Sequence, residues 1–197
     1  LGDPTVAFGW TLSEITDPLT STLRVATDAA MNNVILTKTL TISTTSASHT
    51  FGQDYADLYW QVTVQFTPQP GLTDTAASTV TRFALDITPP SSQINKVYQL
   101  ATGGYLLQWQ GSDAVSGVAS YTVEYRADGD TLWTELVAGT TAVSTNFAPP
   151  DPNLTYQFRV QATDNAGNVE APHVTQDIDT TQAVLLPYAA MLPIISR

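Results

Sequence analysis

The chain has 197 residues, enough for two β-sandwich domains of about 100 residues that each bury a core. Its formal net charge is −11, from 18 acidic and 7 basic residues, which excludes binding to nucleic-acid phosphates and repels anionic membranes. It contains no cysteine, so disulfides, thiolate catalysis and zinc–thiolate sites are excluded as well.

Strand-like alternation of apolar and polar residues recurs along the chain, and no segment has a convincing helical period. The clearest runs are residues 6–10, 58–64, 105–109 and 156–162. Clusters of Gly, Pro, Asn and Asp bound these runs, a pattern typical of sandwich strands. The sequence therefore predicts an all-β protein.

The two halves of the chain repeat one another at a nearly constant spacing, which indicates a duplication. A Pro-Pro pair at Pro89 and Pro90 ends the first half, because it cannot continue a central strand. We predict domains at 1–89 and 90–181, followed by an apolar tail at 182–197. The landmarks that match at spacings of 96–100 residues are Trp10 with Trp109, Asp28 with Asp128, Phe51 with Phe147, and Trp60 with Phe158.

Two motifs in the second half resemble fibronectin type III domains and the related bacterial Ig-like domains. Residues 116–126 have the pattern S-G-V-x-x-Y-x-V-x-Y-R of a third strand. Residues 156–168 have the pattern Y-x-F-R-V-x-A-x-D-x-A-G-N of a sixth strand and its turn. The resemblance covers roughly residues 5–180 and is weaker in the first half. It implies two tandem antiparallel Ig/fibronectin III-like β-sandwiches in an extracellular, bacterial cell-surface setting, and it implies no reaction.

The first domain is expected to lack its opening strand. In the second domain about twenty residues separate Pro89 from Trp109, enough for a strand near residues 94–100 and a turn. In the first domain only nine residues precede Trp10, and residues 6–10 must form the tryptophan strand itself.

Catalysis is poorly supported, and we predict that the protein is not an enzyme. The histidines, His49 and His173, are not flanked by any nucleophile motif. No phosphate-binding loop, H-E-x-x-H motif or dinucleotide fingerprint is present.

A calcium site at the joint between the domains is a weaker hypothesis. The loops after the second and sixth strands lie at one end of such a sandwich, and Ca²⁺ favours several carboxylate and carbonyl oxygens at one point. The competing interpretation, which we favour, is that residues 164–168 form only a tight turn, and then no cofactor is bound. The candidate ligands are Asp86, Asp113, Asp164, Asn165 and Asn168.

Exposed aromatic rings are candidates for stacking on cell-wall or surface glycans. Packing against the sheets is the favoured alternative, because neighbouring rings such as Tyr59 and Trp60 cannot both face the core. The candidates are Tyr55, Tyr59, Trp133 and Tyr188.

The tail at 182–197 is almost wholly apolar but too short to span a membrane, and Pro187 and Pro193 interrupt it. Its ending weakly resembles the C-termini of secreted Chloroflexota proteins. Three interpretations stay open: a sorting tail, an extra strand on its own second domain, or a strand donated to another subunit. The candidate donor residues are Val184, Leu186, Tyr188, Leu192 and Ile194.

The favoured hypothesis is a non-enzymatic surface filament subunit that binds other copies of itself head to tail. The tail of one copy would complete the first domain of the next. The main alternative is a pair of spacer or carbohydrate-binding modules from a larger secreted hydrolase. A third interpretation is an adhesin stalk stiffened by calcium.

Overall fold

The computed structural model describes residues 2–13, 15, 17–41, 44–101 and 103–186. The chain divides into two compact units, Leu1–Thr88 and Pro89–Arg197. The strands of the first unit are β1 (Thr5–Gly9), β2 (Pro18–Ala26), β3 (Val34–Thr41), β4 (Ser46–Thr50), β5 (Tyr55–Gln69), β6 (Leu72–Ala77) and β7 (Thr81–Leu85). Those of the second are β8 (Ser91–Gln99), β9 (Tyr105–Ser112), β10 (Val118–Ala127), β11 (Thr134–Thr140), β12 (Ser144–Phe147), β13 (Tyr156–Asp164), β14 (Ile178–Asp179) and β15 (Val184–Leu185), with a 3₁₀ turn at Thr180–Gln182.

The first unit is a sandwich of two unequal sheets. One sheet contains β1 and β4, and the other has the order β3-β2-β5-β6, with β7 also pairing to β5. All of these pairs are antiparallel. The strand β5 is long enough to pair with β7 along its first half and with β6 along its second half.

Alternating apolar side chains of both sheets form the core of the first unit. In β1 the buried residues are Val6 and Phe8, and their neighbours in the strand are exposed, as expected for a strand with one buried face. They pack with the fully buried Leu23 and Val25 of β2 and with Leu58 of β5. The hydrophobic alternation therefore fixes which face of each strand turns inward.

The second unit is a more complete sandwich with four strands in each sheet. The orders are β12-β9-β8-β15 and β11-β10-β13-β14. Its pairs are antiparallel except for the short parallel pair of β15 with β8. Both units confirm the predicted all-β fold class of antiparallel sandwiches.

The core of the second unit contains apolar residues of both sequence motifs. Val123 of β10 and Phe158 of β13 are fully buried and lie with Trp109 of β9 in one cluster. Gly111 lets Tyr121 approach this sheet, because a Cβ at Gly111 would lie 2.8 Å from Tyr121 Cε1. The apolar positions of the motifs that resemble fibronectin III strands thus form part of the core.

Backbone pairing supports the equivalence of the two tryptophan strands. Trp10 N–H donates to Thr45 O at 3.0 Å, and Trp109 N–H donates to Val143 O at 3.0 Å. The sequence spacing of the two tryptophans therefore corresponds to the same place in each sandwich.

One landmark of the repeat has to be corrected. Val6 pairs with His49, and the equivalent Tyr105 pairs with Phe147, so His49 is the counterpart of Phe147. Phe51 lies two residues further along the chain, but a shift of two residues keeps a side chain on the same face. Phe51 is therefore also buried, at a different level of the core.

Candidate self-assembly groove and acidic turns

The strand β1 has one edge that no strand covers within the described part of the first unit. Alternate residues of an antiparallel strand direct their N–H and C=O groups to the same edge. Since Trp10 donates to Thr45, the even-numbered residues of β1 face β4, and Ala7 and Gly9 face the other edge. Thr5 also faces that edge, where its N–H donates to Asp3 Oδ1 at 2.7 Å.

An open groove of about 380 Å³ lies in the same unit, between the end of β1 and the strands β5 and β6. Trp10, Val62 and Val64 form its apolar floor, and Val62 and Val64 are almost completely buried. None of the residues that line it is charged. The groove is therefore suited to an apolar, uncharged occupant.

The second unit has a strand where the first unit has this open edge. There β8 pairs with β9 along its length and packs against β13. Ile94 and Val97 of β8 are 1% and 2% exposed and belong to the core cluster. An equivalent strand beside β1 is absent from the described residues of the first unit.

The connection from β1 to β2 covers part of the first unit's core. Leu12 and Ile15 are half-buried and pack against the core cluster, and Ile15 also lines the groove. These side chains come from a loop, and the described residues of this connection form no ladder of hydrogen bonds along the outer edge of β1. They narrow the groove without filling it.

The start of the tail pairs with its own second unit. Val184 lies beside Tyr98 in the parallel pair of β15 with β8, and Leu186 N–H donates to Gln99 O at 3.3 Å. This contact involves the backbone, since the side chains of Val184 and Leu185 are 61% and 71% exposed. The structure therefore corrects the assignment of Val184 and Leu186 as donor residues, since both pair with β8 of their own unit, and the donor hypothesis now concerns only the residues after Leu186. Of the predicted donors, Tyr188, Leu192 and Ile194 lie outside the described residues.

Asp113 caps the turn between β9 and β10. Its Oδ1 accepts backbone N–H groups of Val115, Ser116 and Gly117 at 3.0, 2.9 and 2.7 Å. Burial acts to raise the pKa of Asp113, but these N–H groups lower it by more, so it lies below its ordinary value. This arrangement is a turn stabilised by its own aspartate.

Asp164 does the same in the turn after β13. Its Oδ1 accepts the N–H groups of Ala166 and Asn168, each at 2.8 Å, and its Oδ2 accepts Asn168 Nδ2 at 2.8 Å. Asn165 Nδ2 donates to the carbonyls of Ser116 and Gly117. The two acidic turns of the second unit are thus joined by Asn165.

The structure brings Asp113 and Asp164 together, with carboxylate oxygens within 4.8 Å of one another. Asp86 is 2% exposed at the end of the first unit and accepts Thr88 N–H at 3.3 Å. The turn geometry accounts for the N–H donors around Asp113 and Asp164 without a metal. The calcium hypothesis stays a prediction.

Two buried carboxylates that the sequence analysis missed join the two sheets of the second unit. Glu170 accepts Ser92 N–H at 2.8 Å and Ala162 N–H at 3.0 Å. Asp177 Oδ2 accepts the N–H groups of Ile94 and Val160, both at 3.0 Å. Each carboxylate therefore links the edge of β8 to the edge of β13.

His173 bridges these carboxylates. Its Nδ1 bonds to Asp177 Oδ1 and its Nε2 lies 3.2 Å from Glu170 Oε1. Burial lowers the pKa of His173, but the hydrogen bonds and charges of Asp177 and Glu170 outweigh it and raise the pKa above its ordinary value. The three side chains are thus held together by contacts within the second unit.

The remaining histidine and Trp133, one of the candidate sugar-binding rings, pack against neighbours. His49 lies on β4, with its ring 4.7 Å from that of Phe51. The guanidinium groups of Arg126 and Arg159 both lie over the ring of Trp133, each 4.4 Å from the ring centroid. These cations would compete with a sugar for the ring. Tyr55 and Tyr59 are half-buried on β5, and Tyr188 lies outside the described residues.

Among the described residues, no helix has the length and apolar character needed to cross a membrane. No known family model matches the chain. No curated protein matches it either. The chain is similar to a crystal structure of the FN1-FN3 domains of chicken CNTN1, at 16% identity and a TM-score of 0.41. The similarity covers 90% of this chain and 60% of that one, so the chain spans less than two thirds of its length.

Proposed function

We propose that this protein is a non-enzymatic structural or adhesive subunit that assembles head to tail at a bacterial cell surface. In this proposal the C-terminal segment after Leu186 inserts beside β1 in the first unit of another copy. The observation that supports it most directly is the uncovered edge of β1, together with the apolar groove beside Trp10, at the place where the second unit has β8.

The chemistry of the segment matches that of the groove. Residues 187–197 contain one charged residue, Arg197, and several large apolar ones. The groove offers apolar side chains from β5, β6 and the segment that follows β1, and the edge offers backbone groups of Ala7 and Gly9. Addition of a strand to a sheet edge satisfies such groups, and side-chain burial stabilises the joint by about 1.5–3 kcal/mol per large apolar residue before ordering costs.

Assembly by this route is open-ended. Donor and acceptor are different surfaces, so each added subunit leaves a free acceptor at one end and a free donor at the other. A fibre is the expected product unless the chain of contacts closes into a ring. The extracellular setting is supported by the sequence motifs that resemble fibronectin III and bacterial Ig-like domains.

Truncation tests the proposal. Removal of residues 187–197 leaves the pairing of β15 with β8 intact, so the shortened protein should fold as a monomer. The full chain should form filaments or large assemblies by electron microscopy and light scattering. A matched control removes only Arg197, the single charged residue of the segment, and should still assemble.

Assembly of the truncated chain at the level of the full chain would show that the segment is not the donor. If the full chain and the truncated chain are both monomeric, the alternative is favoured, in which the two units are accessory modules of a larger secreted hydrolase. In that case binding to cell-wall polysaccharides is the next measurement.

A further inference from the structure

The second unit provides a template for how the donated segment would lie in the first. Its strand β8 runs antiparallel to β9, with Ile94 opposite Trp109 and Val97 opposite Leu107. Asn95 has no partner on β9, so the strand has a bulge there. Because of the bulge, two core residues are three positions apart in sequence instead of two.

The groove of the first unit is at the place of Ile94. Trp10 is the counterpart of Trp109, which lies opposite Ile94. Val62 pairs with Leu23 as Val160 pairs with Val123. Asp177 binds both Ile94 and Val160, which shows that these two residues are neighbours in the second unit.

We infer that Leu192 and Ile195 of another copy take the places of Ile94 and Val97, with Pro193 at the position of the bulge. This inference rests on the proposed function and specifies its register. Leu192 would enter the groove beside Trp10, and Ile195 would lie opposite Phe8, the counterpart of Leu107.

The proline explains why this part of the segment fits. A proline within a regular ladder removes a hydrogen bond, and prolines in sheets are confined to edges, strand starts and bulges. The order Leu192, Pro193, Ile194, Ile195 has an apolar residue on each side of the bulge at the spacing of β8. The same pattern occurs from Leu186 to Ala189, but there Leu186 N–H already bonds to Gln99 and the second core residue is a small alanine.

Disulfide trapping tests the register, and the chain is suited to it because it contains no cysteine. In the template Tyr98 lies opposite Leu106, so Ser196 would lie opposite Ala7. Two single variants, Ala7→Cys and Ser196→Cys, are mixed and oxidised. Directly opposite residues have Cα atoms about 5.5 Å apart, within the range that a disulfide spans. We expect a covalent dimer on a non-reducing gel.

Two control mixtures sharpen the result. Ala7→Cys with Ile195→Cys should not cross-link, because residue 195 would face the core and Ala7 faces solvent. Ala7→Cys with Ala190→Cys cross-links only if the segment is bound through Leu186 and Pro187. Reduction should return every dimer to monomers.

The outcomes separate the register from the proposed function. A cross-link at residue 190 instead of 196, or assembly without a cross-link at 196, would overturn the register and leave donation standing. The double variant Ala7→Cys, Ser196→Cys can also form a cross-link within one chain. If that cross-link forms in a monomer and the mixture of single variants never cross-links, donation between copies is overturned. Loss of both assembly and cross-linking would overturn both.

Discussion

Buried carboxylates determine how the second unit closes at the scale of single residues. Glu170 and Asp177 accept backbone N–H groups of β8 and β13 that bond to no neighbouring strand in the described part of the unit. A buried N–H group without a partner costs about 1–3 kcal/mol, so each carboxylate offsets a substantial penalty.

Asp177→Ala should expose this dependence. It removes the acceptor of Ile94 N–H and Val160 N–H, and the free energy of unfolding of the second unit should fall by about 2–4 kcal/mol. Hydrogen exchange of those two amides in the full chain, followed by NMR, measures the effect. The exposed Asp130→Ala is the control and should leave both amides protected. Unchanged protection in Asp177→Ala would show that the carboxylate is dispensable.

His173 should make the stability of the second unit depend on pH. Its raised pKa means that the folded state favours the charged imidazole, which bonds to the carboxylates of Asp177 and Glu170. This holds although the cationic Arg159 is close enough to donate to the carbonyl of His173. The stabilising contribution is therefore complete below the ordinary value of 6.5 and is lost as the pH rises through the raised value.

Urea unfolding of the wild type and His173→Gln measures this contribution. The free energy of unfolding of the wild type should exceed that of the variant by more at about pH 6 than at about pH 9. A difference that stays constant over this range would contradict the assignment of the pH dependence to His173.

At the scale of elements, the two units differ most in how the edges of their strands are covered. In the second unit β8 has β9 on one side and β15 on part of the other, and carboxylates bind the N–H groups of Ser92 and Ile94. In the described first unit β1 has β4 alone. An uncovered strand edge favours pairing with another chain, and natural proteins cover or disrupt such edges.

Ala7→Pro tests whether the edge of β1 is used. The N–H of Ala7 faces away from β4, so proline should leave the pairing of β1 with β4 intact and remove a donor at the open edge. We expect folded monomers by circular dichroism and light scattering. Ala7→Thr keeps the N–H and suits an exposed strand position, so it should assemble like the wild type. Filaments of normal length from Ala7→Pro would exclude strand addition at this edge.

Calcium belongs to the scale of the whole molecule, because the hypothesis combines Asp86 of the first unit with Asp113 and Asp164 of the second. The carboxylates of Asp113 and Asp164 already accept backbone N–H groups in their turns. We therefore expect the same melting temperature in EDTA and in millimolar calcium. Stabilisation of about 2.7 kcal/mol, the value for a hundredfold excess over Kd, would contradict this expectation and support a site.

The sequence alone determined the fold class, because hydrophobic alternation with a period of two fixes the buried face of each strand. Residues such as Val6, Phe8, Val123 and Phe158 are buried as that alternation predicts. The equivalence of Trp10 and Trp109 also followed from spacing. These properties are local, or repeat along the chain, and so can be recognised without coordinates.

The tertiary structure alone decided which groups form hydrogen bonds with the backbone at the strand edges. Glu170 and Asp177 follow no sequence pattern, since their partners on β8 are some eighty residues earlier in the chain. The pairing of Val184 with Tyr98 shows that the start of the tail forms an extra strand on its own second unit, which is one of the three interpretations of the sequence. Hydrogen bonds between distant strands depend on how the sheets meet, and hydrophobic alternation contains no information about that.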